Sequence, residues 1–206
     1  MTTPYQIAIN KVEHETIVSR SRFICYLSPC LSIEEAKAQV KKCQFEHPQA
    51  SHHCYAFLTK AADNSLGYGY SDDGEPSGTA GKPMLAVLKG GSIGQVCAIV
   101  VRYFGGTKLG TGGLQRAYGD SVRQALLFLQ SKTKIAMATK TLACQYSQVN
   151  DVLHIISQVE GQIVEQEYLQ HVQFKLLLPQ AKLALVEHKL QTLSAGELSL
   201  KSSDNL

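Results

Sequence analysis

The sequence predicts a two-domain protein of mixed helices and strands. Its length of 206 residues exceeds the roughly 100 to 150 residues of one typical domain. Hydrophobic repeats of helical period and of strand period follow one another along the chain, which indicates helices interspersed with strands. The net charge changes sign near residue 134, and this marks a boundary between two segments.

The first segment has the pattern of an α+β or α/β domain. Residues 5–27 are predicted as one or two strands around the basic stretch 19–23. The capping box Ser32-Ile-Glu-Glu35 opens a helix that reaches about Glu46. The remaining predicted elements are a strand at 52–58, a polar loop at 59–81, a short helix at 83–89, a buried strand at 95–104 and a long helix at 113–129.

The second segment has the order β-α-β-β-α-β, which is typical of a ferredoxin-like fold. Strands are predicted at 139–146, 162–169, 171–178 and 197–201. A helix with one apolar face ends at Gly161, and a second helix opens at Pro179 and closes at Gly196.

The charge division supports this boundary. Residues 1–134 carry 15 Lys/Arg and 10 Asp/Glu, whereas residues 135–206 carry 5 and 7. The polar stretch Gln130–Lys134 lies at the change, so we predict domains at 1–132 and 135–206.

Composition excludes several classes of protein. With 44% hydrophobic and 18% charged residues, the chain has the composition of a soluble globular protein. Its longest apolar run, Val96–Val101, is far short of the ~20 residues that span a bilayer, and the start of the chain has no secretion signal. The six cysteines contain no C-x-x-C pair. We expect a cytoplasmic protein with reduced, buried thiols, no membrane partner and no metal or other cofactor.

Glycine is concentrated in one region, because 14 of the 16 glycines lie between Gly67 and Gly119. The stretch 100–116 has the order strand, glycine-rich loop, helix start, in which exposed N–H groups attract anions. The alternative is that these glycines only form tight turns and close helix contacts. The candidate backbone donors are Gly78, Gly81, Gly105, Gly106, Gly110, Gly112 and Gly113.

Known nucleotide motifs do not fit these loops. A P-loop requires glycine where Pro76 stands and Ser or Thr where Pro83 stands. The dinucleotide fingerprint requires Gly or Ala where Gln115 stands.

Two kinds of chemistry remain as alternatives. Asp72, Asp73 and Glu75 are candidate metal ligands, and His52 and Cys54 share one face of a strand, but neither group completes a site. A hydrolase triad would use Ser77 or Thr79, although the G-x-S-x-G elbow is absent.

Basic residues alternate with aromatic residues through the glycine-rich region, a composition suited to phosphates and unpaired bases. The alternative is a solvated helix face for Arg116 and a core position for Phe104. Arg102 interrupts the most apolar strand, so its charge must reach solvent, a carboxylate or a ligand.

Four motifs together closely resemble the IMPACT family in its bacterial form, over roughly residues 17–130. They are Ser21-Arg-Phe-Ile24, His52-His-Cys-Tyr-Ala56, the stretch from Ser71 to Met84 and the stretch from Val101 to Leu114. The resemblance implies an α+β protein. Its N-terminal domain would be similar to domain 2 of ribosomal protein S5, and its ferredoxin-like domain to domain V of translocation factor G.

The resemblance also implies a surface and a function. The residues it places on the surface, in binding roles only, are His53, Asp73, Glu75, Lys82, Arg102, Lys108 and Arg116. We expect a non-enzymatic protein that binds RNA or the ribosome and modulates translation. The alternatives are a hydrolase-like enzyme using Asp73, Glu75 and His53, or a module that binds a translation-associated protein without RNA.

Overall fold

The computed structural model describes residues 4–64 and 66–202. The chain divides into two compact units, Tyr5–Lys134 and the residues from Ile135 onward, which we call the N-terminal unit and the C-terminal unit. The N-terminal unit thus extends two residues past the predicted end at 132, because residues 131–134 form one of its strands.

The N-terminal unit is built from short strands and three helices within its described residues. Their bounds are β1 Tyr5–Ala8, β2 Val12–Val18, β3 Ser21–Pro29, α1 Ile33–Glu46, β4 His52–Leu58, β5 Tyr68–Ser71, α2 Gly81–Gly90, β6 Ile93–Gly94, β7 Val96–Tyr103, α3 Gly110–Leu126 and β8 Ser131–Lys134.

The main sheet of this unit places its most apolar strand at the centre. The strand order is β2-β3-β7-β4-β5, and every neighbouring pair is antiparallel. Side chains of α2 and α3, among them Met84 and Tyr118, pack on one face, whereas α1 packs on the other through Ala36, Val40 and Cys43. Because β7 is covered on both faces, a charge within it must be compensated inside the protein.

Helix α1 begins where the capping box predicts. The Glu35 N–H donates to the Ser32 hydroxyl at 3.1 Å, and the Glu35 carboxylate accepts from the N–H of Leu31 at 2.7 Å. The reciprocal bond thus goes to the residue before the cap rather than to the cap itself. The N–H of Glu35 in the first turn and the N–H of Leu31 before the cap thus both have side-chain acceptors, which confirms the predicted start of this helix.

Besides the two-residue strand β6, two strands of four residues lie where the sequence predicts none. Strand β5 runs through the predicted polar loop 59–81 and pairs with β4, and Gly69 lies so close to the Phe57 ring that a Cβ would stand 2.6 Å from it. Strand β8 lies in the predicted boundary stretch, where it pairs with β1 while all four of its residues are exposed. Neither strand has the hydrophobic alternation that identifies a strand in sequence.

The C-terminal unit has the predicted element order. Its bounds are β9 Met137–Cys144, α4 Val149–Gln158, β10 Gln162–Tyr168, β11 Val172–Pro179, α5 Leu183–Leu193 and β12 Lys201–Ser202. The strand order is β10-β11-β9-β12, and both helices contribute to one core with the inner faces of the strands. Pro179 ends β11 instead of opening the helix, and β12 is shorter than the predicted strand 197–201.

All six cysteines are free and buried, which agrees with the expectation of buried thiols. Burial raises the pKa of the Cys43 and Cys54 thiols to about 12. Within residues 4–64 and 66–202, no helix combines the length and the apolar character that crossing a membrane requires.

Candidate functional site

A buried ion pair lies at one end of the main sheet. Arg102, near the end of β7, stands between Phe23 of β3 and His52 of β4. Its Nη1 donates to the Glu75 carboxylate at 2.5 Å, and the two residues are only 5% and 8% exposed. The Tyr118 hydroxyl of α3 donates to the same oxygen at 2.8 Å. The charge that interrupts the apolar strand is thus neutralised within the chain.

These contacts revise the surface roles that the resemblance implies for Glu75 and Arg102. Both side chains are enclosed and paired with one another, so neither is placed to bind a large polyanion directly. Burial is the largest cause that raises the pKa of the Tyr118 hydroxyl far above its ordinary value, with the neighbouring Cys54 and Glu75 adding to it. Tyr118 therefore remains a neutral donor to the carboxylate.

The loop before α2 is held down by Asp72. Its carboxylate accepts the backbone N–H groups of Gly78 at 2.8 Å and of Ala80 and Gly81 at 2.9 Å. These amides are therefore not available to an anion, which corrects the prediction for Gly78 and Gly81. Burial raises the pKa of Asp72, but the three backbone bonds outweigh it, and the pKa lies below its ordinary value.

This arrangement predicts an acid-sensitive contribution from Asp72 to stability. Because the folded-state pKa is lowered, the stabilisation is fully present above the unfolded-state value of about 4 and is lost as the pH falls through the folded-state pKa. We expect Asp72→Asn to reduce the free energy of unfolding by about 1 kcal/mol at pH 7. Urea denaturation from pH 7 to pH 3 should show the two proteins converging. A difference that stays constant would contradict the prediction, and Asp63→Asn, at an exposed aspartate, is the control.

The histidines of β4 and the neighbouring acidic side chains form two separate pairs, His52 with Glu75 and His53 with Asp73. Asp73 accepts the backbone N–H of His53 at 2.6 Å, and its backbone carbonyl accepts from His52 Nδ1 at 2.8 Å. His52 and His53 are successive in β4, so they lie on opposite faces of the sheet. His52 Nε2 lies 3.8 Å from the Glu75 carboxylate, whereas the buried His53 ring contacts the carbonyl of His47.

The hydrolase-like alternative requires Asp73, Glu75 and His53 around one pocket, and this grouping is not formed. His53 lies near Asp73, but Glu75 is enclosed on the other face with Arg102. In the described part of the chain, no group of three His, Cys, Asp or Glu side chains is placed to hold a metal ion. The acidic cluster 72–75 instead organises the turn before α2.

Three of the predicted surface residues are exposed and carry unpaired charge. Lys82, Lys108 and Arg116 are exposed, and among the described residues none of them forms an ion pair. An open groove of about 410 Å³ is lined by Lys82 together with Gln115 and Ser77, where α2 and α3 begin. From residue 76 to residue 119 the chain has five Lys/Arg and no Asp or Glu. This surface therefore favours an anionic ligand.

The glycine-rich loop divides into close-packed and open positions. A Cβ on Gly105 would lie 2.0 Å from the backbone of Arg20, and one on Gly113 would lie 3.0 Å from Leu109. Gly106 and Gly110 have φ of +85° and +70°, and open space surrounds them and Gly112. Leu109 caps α3 without any side-chain bond, so the first N–H groups of α3 have no side-chain cap. Exposed donors of this kind attract anions.

Several residues of the site were not assigned from the sequence. Ser21 accepts the N–H of Gly105 at 3.1 Å, and Tyr118 completes the buried ion pair. Phe104 is 50% exposed and does not occupy the core position considered for it. The signal for Phe104 was the alternation of basic and aromatic residues through the glycine-rich region.

Comparisons with known proteins place these residues within a known domain. Residues 19–126, which contain the ion pair and both glycine-rich loops, match the Impact N-terminal domain. The chain belongs to the IMPACT family. Residues 142–197 match a second domain, described only as a domain of unknown function (DUF1949).

Relatives of similar length align over nearly the whole chain. The IMPACT family member YigZ of Escherichia coli is 45% identical over 89% of this chain and 90% of its own length. An IMPACT family member of Haemophilus influenzae is 39% identical over 96% of each chain, and YvyE of Bacillus subtilis is 34% identical over 93% of this chain and 88% of its own.

A solved structure described as a hypothetical protein is also similar. It is 40% identical, covers 100% of both chains and superposes with a TM-score of 0.69. The mixed α and β architecture, with an IMPACT N-terminal domain followed by a C-terminal domain, is therefore shared with a protein of known structure.

Proposed function

We propose that this IMPACT family protein is a non-enzymatic, cytoplasmic protein that binds RNA, free or within the ribosome, and modulates translation. The observation that carries the proposal is the exposed basic surface formed by Lys82, Lys108 and Arg116, which we call the basic surface. Lys82 lies in the first turn of α2, Lys108 in the glycine-rich loop before α3, and Arg116 in α3, within a stretch of 44 residues that contains no Asp or Glu. Phosphate groups are the ligands that such a surface neutralises.

The architecture supports the same proposal. Strand order β10-β11-β9-β12 with both helices on one face is the order expected of a ferredoxin-like fold. We infer that the C-terminal unit is similar to domain V of translocation factor G and that the N-terminal unit is similar to domain 2 of ribosomal protein S5. Fold likeness is an analogy, so the basic surface remains the physical argument.

The proposal predicts a salt-dependent loss of binding when the basic surface is neutralised. We expect the triple variant Lys82→Ala, Lys108→Ala, Arg116→Ala to bind structured RNA and purified ribosomes at least 10-fold more weakly at low salt. The slope of log affinity against log salt should become shallower by about 2 to 3, because three phosphate contacts are lost. Fluorescence anisotropy measured at salt concentrations from about 50 to about 200 mM gives both the affinity and the salt slope.

The chain provides a matched control for this test. Lys11, Lys37 and Lys41 are also exposed, and the last two lie on α1, which covers the opposite face of the sheet. Their triple alanine variant removes the same charge, and we expect it to change affinity less than 2-fold, on the order of a non-specific charge effect. Equal losses in the two triple variants, or no binding by the wild-type protein at low salt, would refute the proposal.

A protein-interaction module is the second candidate, and one feature favours it. An apolar groove of about 590 Å³ lies between the ends of α2 and α3, where Val87, Ile93 and Leu126 line it and Leu127 is 73% exposed. A translation-associated protein captured from lysate should remain bound after nuclease treatment, whereas a ribosomal or RNA partner should be lost.

A further inference from the structure

Phe104 has an unusual position for a large apolar side chain. It follows the buried strand β7 directly, yet it is 50% exposed. The Arg102 guanidinium lies 5.5 Å from the centre of its ring and 5.4 Å from the centre of the Phe23 ring. The cation is thus held between a buried ring and an exposed ring. Among the described residues no other aromatic ring stacks on Phe104, and half of this residue remains exposed.

The backbone on both sides of this ring is fixed. The N–H of Phe104 donates to the Ser51 hydroxyl at 3.2 Å, and the N–H of Gly105 donates to the Ser21 hydroxyl at 3.1 Å. Gly105 presses against the backbone of Arg20 at a distance that admits no side chain. The ring is therefore presented on a rigid support, which lowers the entropy lost when a ligand stacks on it.

The neighbouring hairpin turn carries a strained arginine. Val18 pairs with Ser21, so Ser19 and Arg20 form the two-residue turn between β2 and β3, with φ of +47° and +67°. Asn-Gly is favoured at such turns, because the left-handed backbone conformation costs residues other than Gly, Asn and Asp about 1–2 kcal/mol. Arg20 nevertheless occupies the second position, and its Nη2 donates to the Thr107 hydroxyl at 2.9 Å. This bond places a cation at the glycine-rich loop that follows Phe104, on the residue that precedes Lys108.

An unpaired nucleotide matches all three features. The flat ring offers a surface on which any base can stack, and the two cations neutralise the phosphates on either side of that base. Bases inside a duplex are already stacked on their neighbours, so they cannot use the ring without being flipped out. An acidic peptide would satisfy the cations but would leave the ring without a stacking partner.

We propose that Phe104 is a stacking platform for an unpaired base of single-stranded RNA, with Arg20 and Lys108 contacting the adjacent phosphates. This inference rests on the proposed function, because it names the part of the RNA that the basic surface recognises. It adds Arg20, which lies outside the four motifs, and Phe104, which lies in the stretch from Val101 to Leu114 but not among the seven surface residues that the resemblance implies.

The test compares binding to an unstructured RNA strand of about 12 nucleotides with binding to a duplex of the same sequence. A strand of this length lies within the site sizes that single-strand binders cover. We expect the wild-type protein to prefer the single strand. Phe104→Ala should weaken that binding by about 5-fold to 100-fold, which corresponds to one lost stacking contact. The salt slope should not change, because no charge is removed, whereas Arg20→Ala should make the slope shallower by about 1.

Four controls keep the outcomes distinct. Phe104→Trp should retain binding and quench a 2-aminopurine placed in the strand, and Phe45→Ala, at a phenylalanine that is 86% exposed on α1, should have no effect. Thermal unfolding of Phe104→Ala checks that the variant is folded. A glutamate 12-mer of about the same length tests for a purely electrostatic surface.

Each outcome bears on one proposal or on both. If the wild-type protein binds RNA with a salt slope but Phe104→Ala binds equally well, base stacking is overturned and RNA binding stands. Base stacking is also overturned if the glutamate peptide binds as tightly as the RNA and is equally sensitive to Phe104→Ala. If the wild-type protein binds no RNA, the proposed function fails and this inference fails with it.

Discussion

Glu75→Leu is expected to lower the free energy of unfolding of the N-terminal unit by about 3–5 kcal/mol. The substitution removes the only carboxylate that contacts the Arg102 guanidinium among the described residues, and it leaves that cation 5% exposed without a counter-charge. The Tyr118 hydroxyl loses its acceptor in the same step. Hydrogen exchange read by mass spectrometry should show the loss in peptides from β7 and not in peptides from β9–β11.

A triple variant separates the cost of an unpaired charge from the cost of a changed core. The triple variant is Glu75→Leu, Arg102→Met, Tyr118→Phe. It replaces the two charged side chains and the tyrosine that donates to Glu75 by apolar side chains of similar size. We expect most of the lost stability to return, because a buried ion pair and its apolar replacement are often nearly equal in free energy. Persistent destabilisation in the triple variant would contradict this account.

An exposed ion pair in the same sheet is the matched control. Arg22 donates two hydrogen bonds to the Glu15 carboxylate, at 3.0 and 2.8 Å, but the two side chains are 50% and 38% exposed. Glu15→Leu should therefore reduce the free energy of unfolding by no more than about 1 kcal/mol. If Glu15→Leu and Glu75→Leu had the same effect, burial would not be the reason for the larger loss.

Gly105→Ala is expected to have the second large effect, a destabilisation of about 3 kcal/mol or more. The added Cβ would lie 2.0 Å from the carbonyl carbon of Arg20 and 2.4 Å from the backbone nitrogen of Ser21. Backbone atoms of a paired hairpin cannot move aside as the end of a side chain can. The loop and the hairpin must separate, which breaks the bond between the Gly105 N–H and the Ser21 hydroxyl. Urea denaturation with circular dichroism measures the loss.

Two neighbouring glycines test whether close contact is the cause. Gly106 has open space around it but a φ of +85°, so Gly106→Ala should cost about 1–2 kcal/mol through backbone strain alone. Gly112 lies in the first turn of α3 with open space and without a positive φ, so Gly112→Ala should be neutral or stabilising by up to about 1 kcal/mol. The order Gly105, Gly106, Gly112 in decreasing cost is the expected result, and any other order would contradict it.

These two predictions concern the support of the candidate site rather than the RNA contacts that we propose for it. The ion pair and the Gly105 contact together hold β7, the hairpin turn and the glycine-rich loop at one end of the sheet. Lys108 and Phe104 are presented on that support. A variant that weakens the support should therefore reduce RNA binding and stability together, whereas the alanine variants of the basic surface should reduce binding alone.

Local patterns predicted the elements whose cause is local. Ser32 and Glu35 identified the start of α1, because a cap is formed by residues four positions apart or fewer. Strand β4 and the apolar run of β7 were predicted as strands, and most of the side chains of both are buried. The element order of the C-terminal unit followed from the same periodicities. Strands β5 and β8 were not predicted, because they are held by pairing with β4 and β1 and not by a pattern of their own.

The site shows the same division between local and distant causes. The sequence by itself determined that glycine and basic residues gather between residues 67 and 119, and that the charge of Arg102 had to be compensated. Only the tertiary structure decided that Glu75, 27 positions earlier, compensates it, and that Asp72 occupies the amides of Gly78 and Gly81. The physical reason is that burial and hydrogen-bond partners depend on contacts between distant segments, whereas composition and periodicity record only what each segment can do alone.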